Sequence, residues 1–244
     1  MPKFSVIIMA YNEEQTVIPL YYSLKKVMDK LGQSYEIIFV NDGSTDKSPD
    51  RLRSINLTPA DLIIVDLDKH RGQSTAMQAG FDIAQGEFII TMDADLQNDP
   101  EDIPRLWDKL KDGYDAVCGW RYNRKDPRSK VIISHLASFF LRLMVKQDIH
   151  DFGCSLRILR KEALKNVYLS KGMHRFFILL MLKLGYKIGE VKVNHRPRRF
   201  GQSKYNIHNR LFECLFVFLR ISLYDVHNLM EHHKPEYKIK VIRK

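Results

Sequence analysis

Short apolar segments alternate with helix-like segments through the first half of the chain. Five stretches are mostly apolar, as in strands buried on both faces of a parallel sheet: residues 4–10, 36–40, 62–65, 87–92 and 116–119. The stretches between them repeat apolar residues about every 3.6 positions and so predict four helices: 13–31, 46–54, 73–84 and 101–111. This alternation predicts an α/β fold with a mostly parallel sheet flanked by helices.

The second half of the chain has a different pattern. Its predicted elements are helices near 129–145, from Lys161, near 174–184 and over about 207–230, a short segment at 151–160 and a strand at 187–195. The sequence has no internal repeat and no low-complexity linker. We therefore expect one domain over 1–210, followed by an amphipathic helix and a basic tail over 211–244.

Charge divides the chain into two halves. Of its 244 residues, 45% are hydrophobic and 28% charged, as in an ordinary globular protein, and the net charge is +10. Residues 1–117 hold 12 basic and 20 acidic side chains, whereas residues 118–244 hold 27 basic and 9 acidic. The acidic half can hold a cation, and the basic half can hold phosphates or rest on an anionic surface.

Cysteine usage and hydropathy indicate a reducing, cytosolic environment. Cys118, Cys154 and Cys214 are widely spaced, which argues against a disulfide framework and against a zinc site. The N-terminal residues lack the features of a signal peptide. The longest apolar candidate, 211–224, is interrupted by charged residues, so we expect no membrane-spanning segment.

The clearest chemical signal follows the fourth predicted strand. Ligands of α/β sheets bind beyond the carboxyl ends of the strands, and the sequence Asp93-Ala94-Asp95-Leu96-Gln97 starts there. Two carboxylates two residues apart, with an amide nearby, can hold Mg²⁺ or Mn²⁺ and leave positions open for substrate phosphates. The alternative is a polar loop that caps the helix beginning at Glu101.

Two further loops have a structural and a functional interpretation. The sequence 41–46 can form a turn and a helix cap, or Asp42 can accept hydrogen bonds from a nucleotide base or ribose. The basic loop 196–205 can be a solvated face, or it can fold over a diphosphate. A second basic cluster suits another phosphate and comprises Arg121, Arg124, Arg128 and Lys130.

Six motifs in order resemble those of glycosyltransferases of the dolichyl-phosphate mannose synthase type, which have the GT-A nucleotide-sugar fold. They are residues 5–14, 41–46, 93–97, 119–122, 151–164 and 198–205. The resemblance covers residues 3–215. The sequence departs from the family pattern at Trp120, where a small residue is usual, and at 152–156, and both departures fall on the acceptor side.

The resemblance implies inverting transfer of a hexose from a nucleotide-diphosphate sugar, of the GDP-mannose or UDP-glucose type, to a polyprenyl or dolichyl phosphate. It implies a nucleotide and metal half over 1–117 and an acceptor half over 118–210. The implied donor-binding residues are Ala10, Tyr11, Glu13, Asp42, Asp93, Arg198 and Lys204. The implied metal ligands are Asp93, Asp95 and Gln97, binding Mg²⁺ or Mn²⁺. The implied acceptor-phosphate residues are Arg121, Lys130, Ser134 and Arg157, and the implied catalytic residues are Asp95, Arg121 and Lys204.

A lipid acceptor implies contact with a membrane surface, with the protein peripheral on its cytosolic face. The apolar segment 211–219 is either a core helix or an interfacial one, and a separate membrane-anchoring subunit is a further partner that the sequence allows. The tail could add attraction to anionic lipid through Lys234, Lys238, Lys240, Arg243 and Lys244. The alternative enzyme transfers a sugar to a glycan or another hydroxyl acceptor. A nucleic-acid-binding protein is disfavoured, because the acidic half would repel a phosphate backbone.

Overall fold

The first strand, β1, is buried along its whole length and forms the centre of the sheet. A computed structural model of the protein describes residues 1–55, 62–124, 138, 141–142, 147–165, 167–198, 200 and 236–243. The strands there are β1 (Phe4–Ala10), β2 (Tyr35–Asn41), β3 (Leu62–Leu67), β4 (Phe88–Asp93), β5 (Ala116–Trp120), β6 (Arg157–Arg160), β7 (Ile188–Lys192) and β8 (Ile239–Arg243). The helices are α1 (Val17–Leu31), α2 (Ser48–Arg53), α3 (Gln73–Ile83), α4 (Ile103–Leu110) and α5 (Phe177–Lys183).

These strands form one sheet in the order β7-β5-β6-β4-β1-β2-β3-β8. The pairs β1–β2, β1–β4, β2–β3 and β5–β7 are parallel, so the predicted mostly parallel α/β sheet is confirmed. Strand β6 is antiparallel to both β4 and β5. As a result β6 begins at the edge where its two neighbours end.

Alternate residues of β1 belong to two different cores, because successive side chains of a strand point to opposite faces. Ile7 and Met9 join the core under α3 and α5, whereas Val6 and Ile8 join the core under α1, α2 and α4. Helices therefore cover both faces of the sheet. This explains why the central strands read as continuous apolar runs without alternation.

Three of the helices predicted for the second half of the chain are not confirmed. The helix expected from Lys161 is a four-residue 3-10 turn (Lys161–Leu164), so that expectation was wrong in length and type. The turn is short because its backbone leaves the helical region at Lys165. The predicted helices at 129–145 and 207–230, including the amphipathic segment from 211, lie largely or wholly outside the described residues.

Strand β8 was not predicted, because it falls in the stretch interpreted as a basic tail. It pairs antiparallel with β3, and Tyr237 just before it donates a 2.6 Å hydrogen bond to Asp82. Lys240 and Arg243 are exposed within this strand. Among the helices of the described residues, none combines the length and the apolar character that a membrane crossing requires.

Candidate active site

The Asp93–Gln97 loop lies at the carboxyl end of β4, in the middle of the sheet. Asp93 is the last residue of β4, and the backbone N–H of Gln97 donates to Asp95 Oδ1 at 3.1 Å. Between them Leu96 has a φ of 62°, which is unusual for a residue with a side chain. A strained turn of this kind is typical of functional loops.

The environment of Asp93 is suited to a positive ion. Gln73 Nε2 donates to Asp93 Oδ1 at 2.6 Å. Burial, followed by the negative charge of Asp95, raises the pKa of Asp93 to about 6. A cation bound beside Asp93 and Asp95 would offset the repulsion between the two carboxylates and favour the ionised form of Asp93.

A guanidinium already occupies part of this cation position. Arg198 Nη2 lies 2.6 Å from Asp95 Oδ2, and its Nη1 lies 3.8 Å from Glu13 Oε1. No group of three or more His, Cys, Asp or Glu side chains is gathered for a metal within the described ranges. Two carboxylates suffice for Mg²⁺ in phosphate-transfer sites, since substrate phosphates and water complete its coordination. The donor set of Asp93, Asp95 and the Gln97 amide therefore fits a hard divalent cation.

The capping alternative belongs to a different residue of this loop. Asp99 caps the 3-10 turn Pro100–Asp102 by accepting the N–H of Glu101 at 3.2 Å. Asp99 also pairs with Arg196 at 2.7 Å. The helix start thus uses Asp99 and leaves Asp93 and Asp95 for other partners.

The segment leading to Arg198 runs alongside the Asp93–Gln97 loop. Asn98 and His195 form an antiparallel bridge, and the N–H of Arg196 donates to the carbonyl of Gln97 at 2.8 Å. This pairing explains how an arginine 103 residues further along the chain reaches Asp95. Lys204, expected on the same loop, lies outside the described residues, as do Lys130 and Ser134.

On the donor side, the loop after β1 is bonded to the loop after β2. The carbonyl of Ala10 accepts the N–H of Asp42 at 2.9 Å, and the N–H of Glu13 donates to Ser48 Oγ at 2.7 Å. Asn12, with a φ of 53°, accepts the N–H of Thr45 at 2.8 Å. The predicted donor-binding residues Ala10, Tyr11, Glu13 and Asp42 therefore lie in one bonded unit.

Asp42 organises the loop that follows β3. Its carboxylate accepts the N–H groups of Arg71 at 2.7 Å and Gly72 at 2.9 Å, and His70 Nδ1 lies 2.9 Å from it. Burial raises the pKa of Asp42 above its ordinary value, although these hydrogen bonds act in the opposite direction. Asp42 thus joins two loops, a role different from the predicted turn and helix cap, since α2 begins after Lys47 without a side-chain cap. The contact of Asp42 with a nucleotide stays a prediction.

His70 and Gln73 were not among the sequence predictions. The His70 ring stacks on Tyr11 with 3.9 Å between ring centroids and 19° between planes. Gln73 bonds Asp93 as described above. Both residues lie in or directly after the loop that follows β3, so the strand-end rule would have identified them had it been applied beyond Asp68.

On the acceptor side, Arg121 pairs with Asp151 through two hydrogen bonds. Arg121 Nε and Nη2 donate to the two oxygens of Asp151 at 2.7 and 2.9 Å. Burial alone would raise the pKa of Asp151, but the charge and hydrogen bonds of Arg121 outweigh it and lower that pKa. This pair lies just after β5, at the same edge of the sheet as Asp93.

Arg157 is a buried cation at the start of β6. It is 3% exposed, and its Nη2 donates to the carbonyl of His174 at 3.3 Å. Its Nε is buried without a hydrogen-bond partner in the described part of the chain. Burial lowers the pKa of this guanidinium, yet arginine keeps its proton in proteins. A buried donor without an acceptor suits an anionic ligand.

Two solved structures of one synthase superpose on this chain. Glucosyl-3-phosphoglycerate synthase from Mycobacterium tuberculosis, in complex with phosphoglyceric acid, superposes with a TM-score of 0.72 at 17% identity, covering 92% of this chain and 81% of that one. The same enzyme in complex with Mn²⁺ and UDP-glucose also gives a TM-score of 0.72 at 17% identity, covering 92% and 80%. These likenesses show that the chain has the GT-A fold, and the family match below makes it a glycosyltransferase.

The chain belongs to glycosyl transferase family 2, whose profile matches residues 5–168. A dodecaprenyl-phosphate galacturonate synthase from Rhizobium johnstonii is 38% identical over 227 residues, covering 91% of this chain and 67% of that protein. An undecaprenyl-phosphate 4-deoxy-4-formamido-L-arabinose transferase from Serratia proteamaculans is 35% identical over 206 residues, covering 84% and 63%. The chain thus spans about two thirds of the length of these curated relatives.

Proposed function

We propose that this protein transfers a sugar from a nucleotide-diphosphate donor to a polyprenyl phosphate, with inversion at the anomeric carbon. The observation that carries the proposal is the meeting, at one sheet edge, of two carboxylates suited to a cation and a basic acceptor side with Arg121 and Arg157. The names of the relatives support a polyprenyl-phosphate acceptor. They also widen the donor choice beyond GDP-mannose and UDP-glucose to uronate and amino-pentose sugars.

The donor would lie across the ends of β1, β2 and β4. A divalent cation held by Asp93, Asp95 and the Gln97 amide would offset negative charge on the departing diphosphate. Arg198 bridges Asp95 and Glu13, which places its guanidinium beside the proposed position of that diphosphate. Arginine suits this role because its planar fork can bind two phosphate oxygens at once.

The acceptor needs little activation by the protein. A phosphate monoester has a second pKa near 6, so its oxygen is largely ionised at neutral pH. That oxygen forms a bond to the anomeric carbon while the bond from this carbon to the diphosphate oxygen breaks and its electron pair leaves with the nucleoside diphosphate. No general base is required, and the protein contributes by positioning two anions that repel each other.

Two of the proposed acceptor-phosphate residues, Arg121 and Arg157, lie in the described part of the chain. Arg157 offers a buried Nε, and a bound phosphate would satisfy it. Arg121 is held by Asp151, which fixes the direction of its guanidinium and reduces the entropy lost when substrate binds. Lys130, Ser134 and Lys204 complete the proposed set from the sequence.

We further propose that the protein works as a peripheral protein on the cytosolic face of a membrane. The lipid nature of the acceptor supports this, as does the positive charge of the second half of the chain. The protein should co-sediment with anionic vesicles. Reversal of the charge at the exposed Lys240 should weaken this co-sedimentation while β8 stays in the sheet. Sedimentation equal to that with neutral vesicles would contradict the electrostatic part of the proposal.

The reaction is tested by nucleoside diphosphate release from a panel of nucleotide sugars, with and without polyprenyl phosphate. We expect release with one donor, only with lipid phosphate, and complete loss in EDTA. Asp95→Asn should lower the rate by about 10²-fold or more, because one of the two carboxylates proposed to bind the cation is lost. Asp108→Asn is the matched control, since Asp108 is exposed and pairs with the surface residue Lys111.

Two results would contradict the proposal. Release that depends on a hydroxyl acceptor and not on lipid phosphate would favour the glycan-type transferase. If Asp95→Asn releases nucleoside diphosphate at the wild-type rate, and EDTA does not slow the wild type, the reaction does not need the cation.

A further inference from the structure

Arg121 lies in the sequence between two aromatic residues, Trp120 and Tyr122. Trp120 is the last residue of β5, and Tyr122 follows Arg121 in a tight turn closed by a 2.8 Å hydrogen bond from its N–H to the carbonyl of Trp120. The two rings meet edge to face with 6.5 Å between centroids. Tyr122 is 57% exposed and Trp120 is partly buried, so the pair reaches solvent mainly through Tyr122.

A cation lies above both rings. Lys192 is paired with Trp120 in the sheet register, and its Nζ lies 5.1 Å from the Trp120 centroid and 5.6 Å from the Tyr122 centroid. A cation–π contact of this kind holds the ammonium in place without neutralising it. The result is an exposed apolar surface that carries a positive charge.

The aromatic surface is rigidly joined to the acceptor side of the site. Trp120 stacks on His150 with 4.0 Å between centroids and 15° between planes. His150 is followed by Asp151, which holds Arg121. The backbone N–H groups of His150 and Asp151 both donate to Glu190 of β7, at 2.9 and 2.8 Å. The Trp120–His150 stack is therefore a layer directly beside the Arg121–Asp151 pair.

We propose that Trp120, Tyr122 and Lys192 bind the phosphate-proximal isoprene units of the lipid acceptor. The rings would cover the first isoprene units while the Lys192 ammonium attracts the phosphate that continues toward Arg121. A prenyl phosphate fits because it joins an apolar chain to an anion over the distance of one bond. The inference rests on the proposed function and adds to it the residues that select a lipid over free phosphate.

Tryptophan fluorescence tests this directly, because the chain has two tryptophans. Trp107 packs edge-on against Phe4 and Phe88, away from the sheet edge that carries the site. In Trp107→Phe, farnesyl phosphate below its micellar concentration should shift the emission of Trp120 to the blue, and inorganic phosphate should not. Trp120→Phe, which keeps Trp107, is the control and should show no shift.

Kinetics separate this binding role from a structural one. Trp120→Ala should raise KM for prenyl phosphate about tenfold, corresponding to about 1.4 kcal/mol, with the KM for nucleotide sugar unchanged. Tyr122→Ala should raise it several-fold, whereas Tyr22→Ala, at a tyrosine that is 54% exposed on α1, should have no effect. Lys192→Ala should also raise it, and Lys111→Ala, which removes an ammonium 5.0 Å above Trp107, should not.

The outcomes distinguish this inference from the proposed function. Wild-type release that needs lipid, together with unchanged KM values in the Trp120, Tyr122 and Lys192 variants, would overturn the inference alone. An emission shift caused by phosphatidylglycerol vesicles but not by farnesyl phosphate would make the surface a membrane contact instead. Absence of lipid-dependent release in the wild type would overturn both.

Discussion

Gly43 lies where the loop after β2 touches the loop after β3, and its replacement by alanine tests the donor side of the site. Its φ is +64°, in the left-handed region that favours glycine. A Cβ at this position would overlap backbone atoms of Lys69 and His70. Since backbone cannot rotate away as a side chain can, the whole loop after β3 would have to move.

Two costs add in Gly43→Ala. The left-handed conformation costs an alanine about 1–2 kcal/mol. Movement of the loop would also weaken the hydrogen bonds from Arg71 and Gly72 to the Asp42 carboxylate, each worth about 1.5–3 kcal/mol as a bond to a charged group. We expect a total loss of about 3–5 kcal/mol in the free energy of unfolding.

Gly32→Ala is the matched control. Gly32 ends α1 with a φ of +63°, and a Cβ there meets nothing within 4 Å. The free energy of unfolding of this variant should fall only by the cost of the left-handed conformation, about 1–2 kcal/mol. Urea unfolding measures both variants, and nucleoside diphosphate affinity by calorimetry should fall in Gly43→Ala alone. Equal losses in the two variants would refute the argument that the Gly43 position is closed by backbone contact.

The remaining predictions concern the acceptor side and the C-terminal strand. Asp151→Asn should cost about 3 kcal/mol at pH 7, because it leaves the Arg121 charge buried without its partner. Since the folded-state pKa of Asp151 is lowered, wild-type stability from this pair is present above about pH 4 and lost as pH falls through the folded pKa, so the two unfolding curves should converge in acid. Tyr237→Phe should cost about 1 kcal/mol by removing the hydrogen bond to Asp82, as measured by thermal unfolding. Removal of 236–244 should lower stability and promote aggregation in light scattering, since it uncovers the edge of β3; a fully monomeric truncated protein would contradict this.

The strands of the first half of the chain could be predicted from the sequence. The bounds of β1 to β5 were predicted within about two residues. Strands buried on both faces are continuous apolar runs, and the polar residues that follow mark their ends. Strand β6 was missed since its four residues, Arg157 to Arg160, begin and end with arginine. Strand β8 was missed for a similar reason, as lysine and arginine alternate with its apolar residues.

The sequence predicts which residues form the candidate site but not the contacts between them. Sequence order indicates that Asp93 and Asp95 follow a strand, yet only the folded chain brings Arg198 to within 2.6 Å of Asp95. The bridge between Asn98 and His195 is responsible, and such long-range pairing leaves no local pattern. In the same way, the partner of Arg121 could not be inferred, because Asp151 lies 30 residues away in an irregular segment.

The position of β8 has a consequence for the synthesis of the chain. Ile63 of β3 pairs with Arg243, so the ribosome must add about 180 residues before this partner exists. At about 5–20 residues per second, the outer edge of β3 stays open for roughly 10–35 s after it emerges. Strands β1, β2 and β4 can form their parallel pairs during that time, and β8 completes the sheet last. The nascent chain is therefore most exposed to edge-to-edge association before β8 is released.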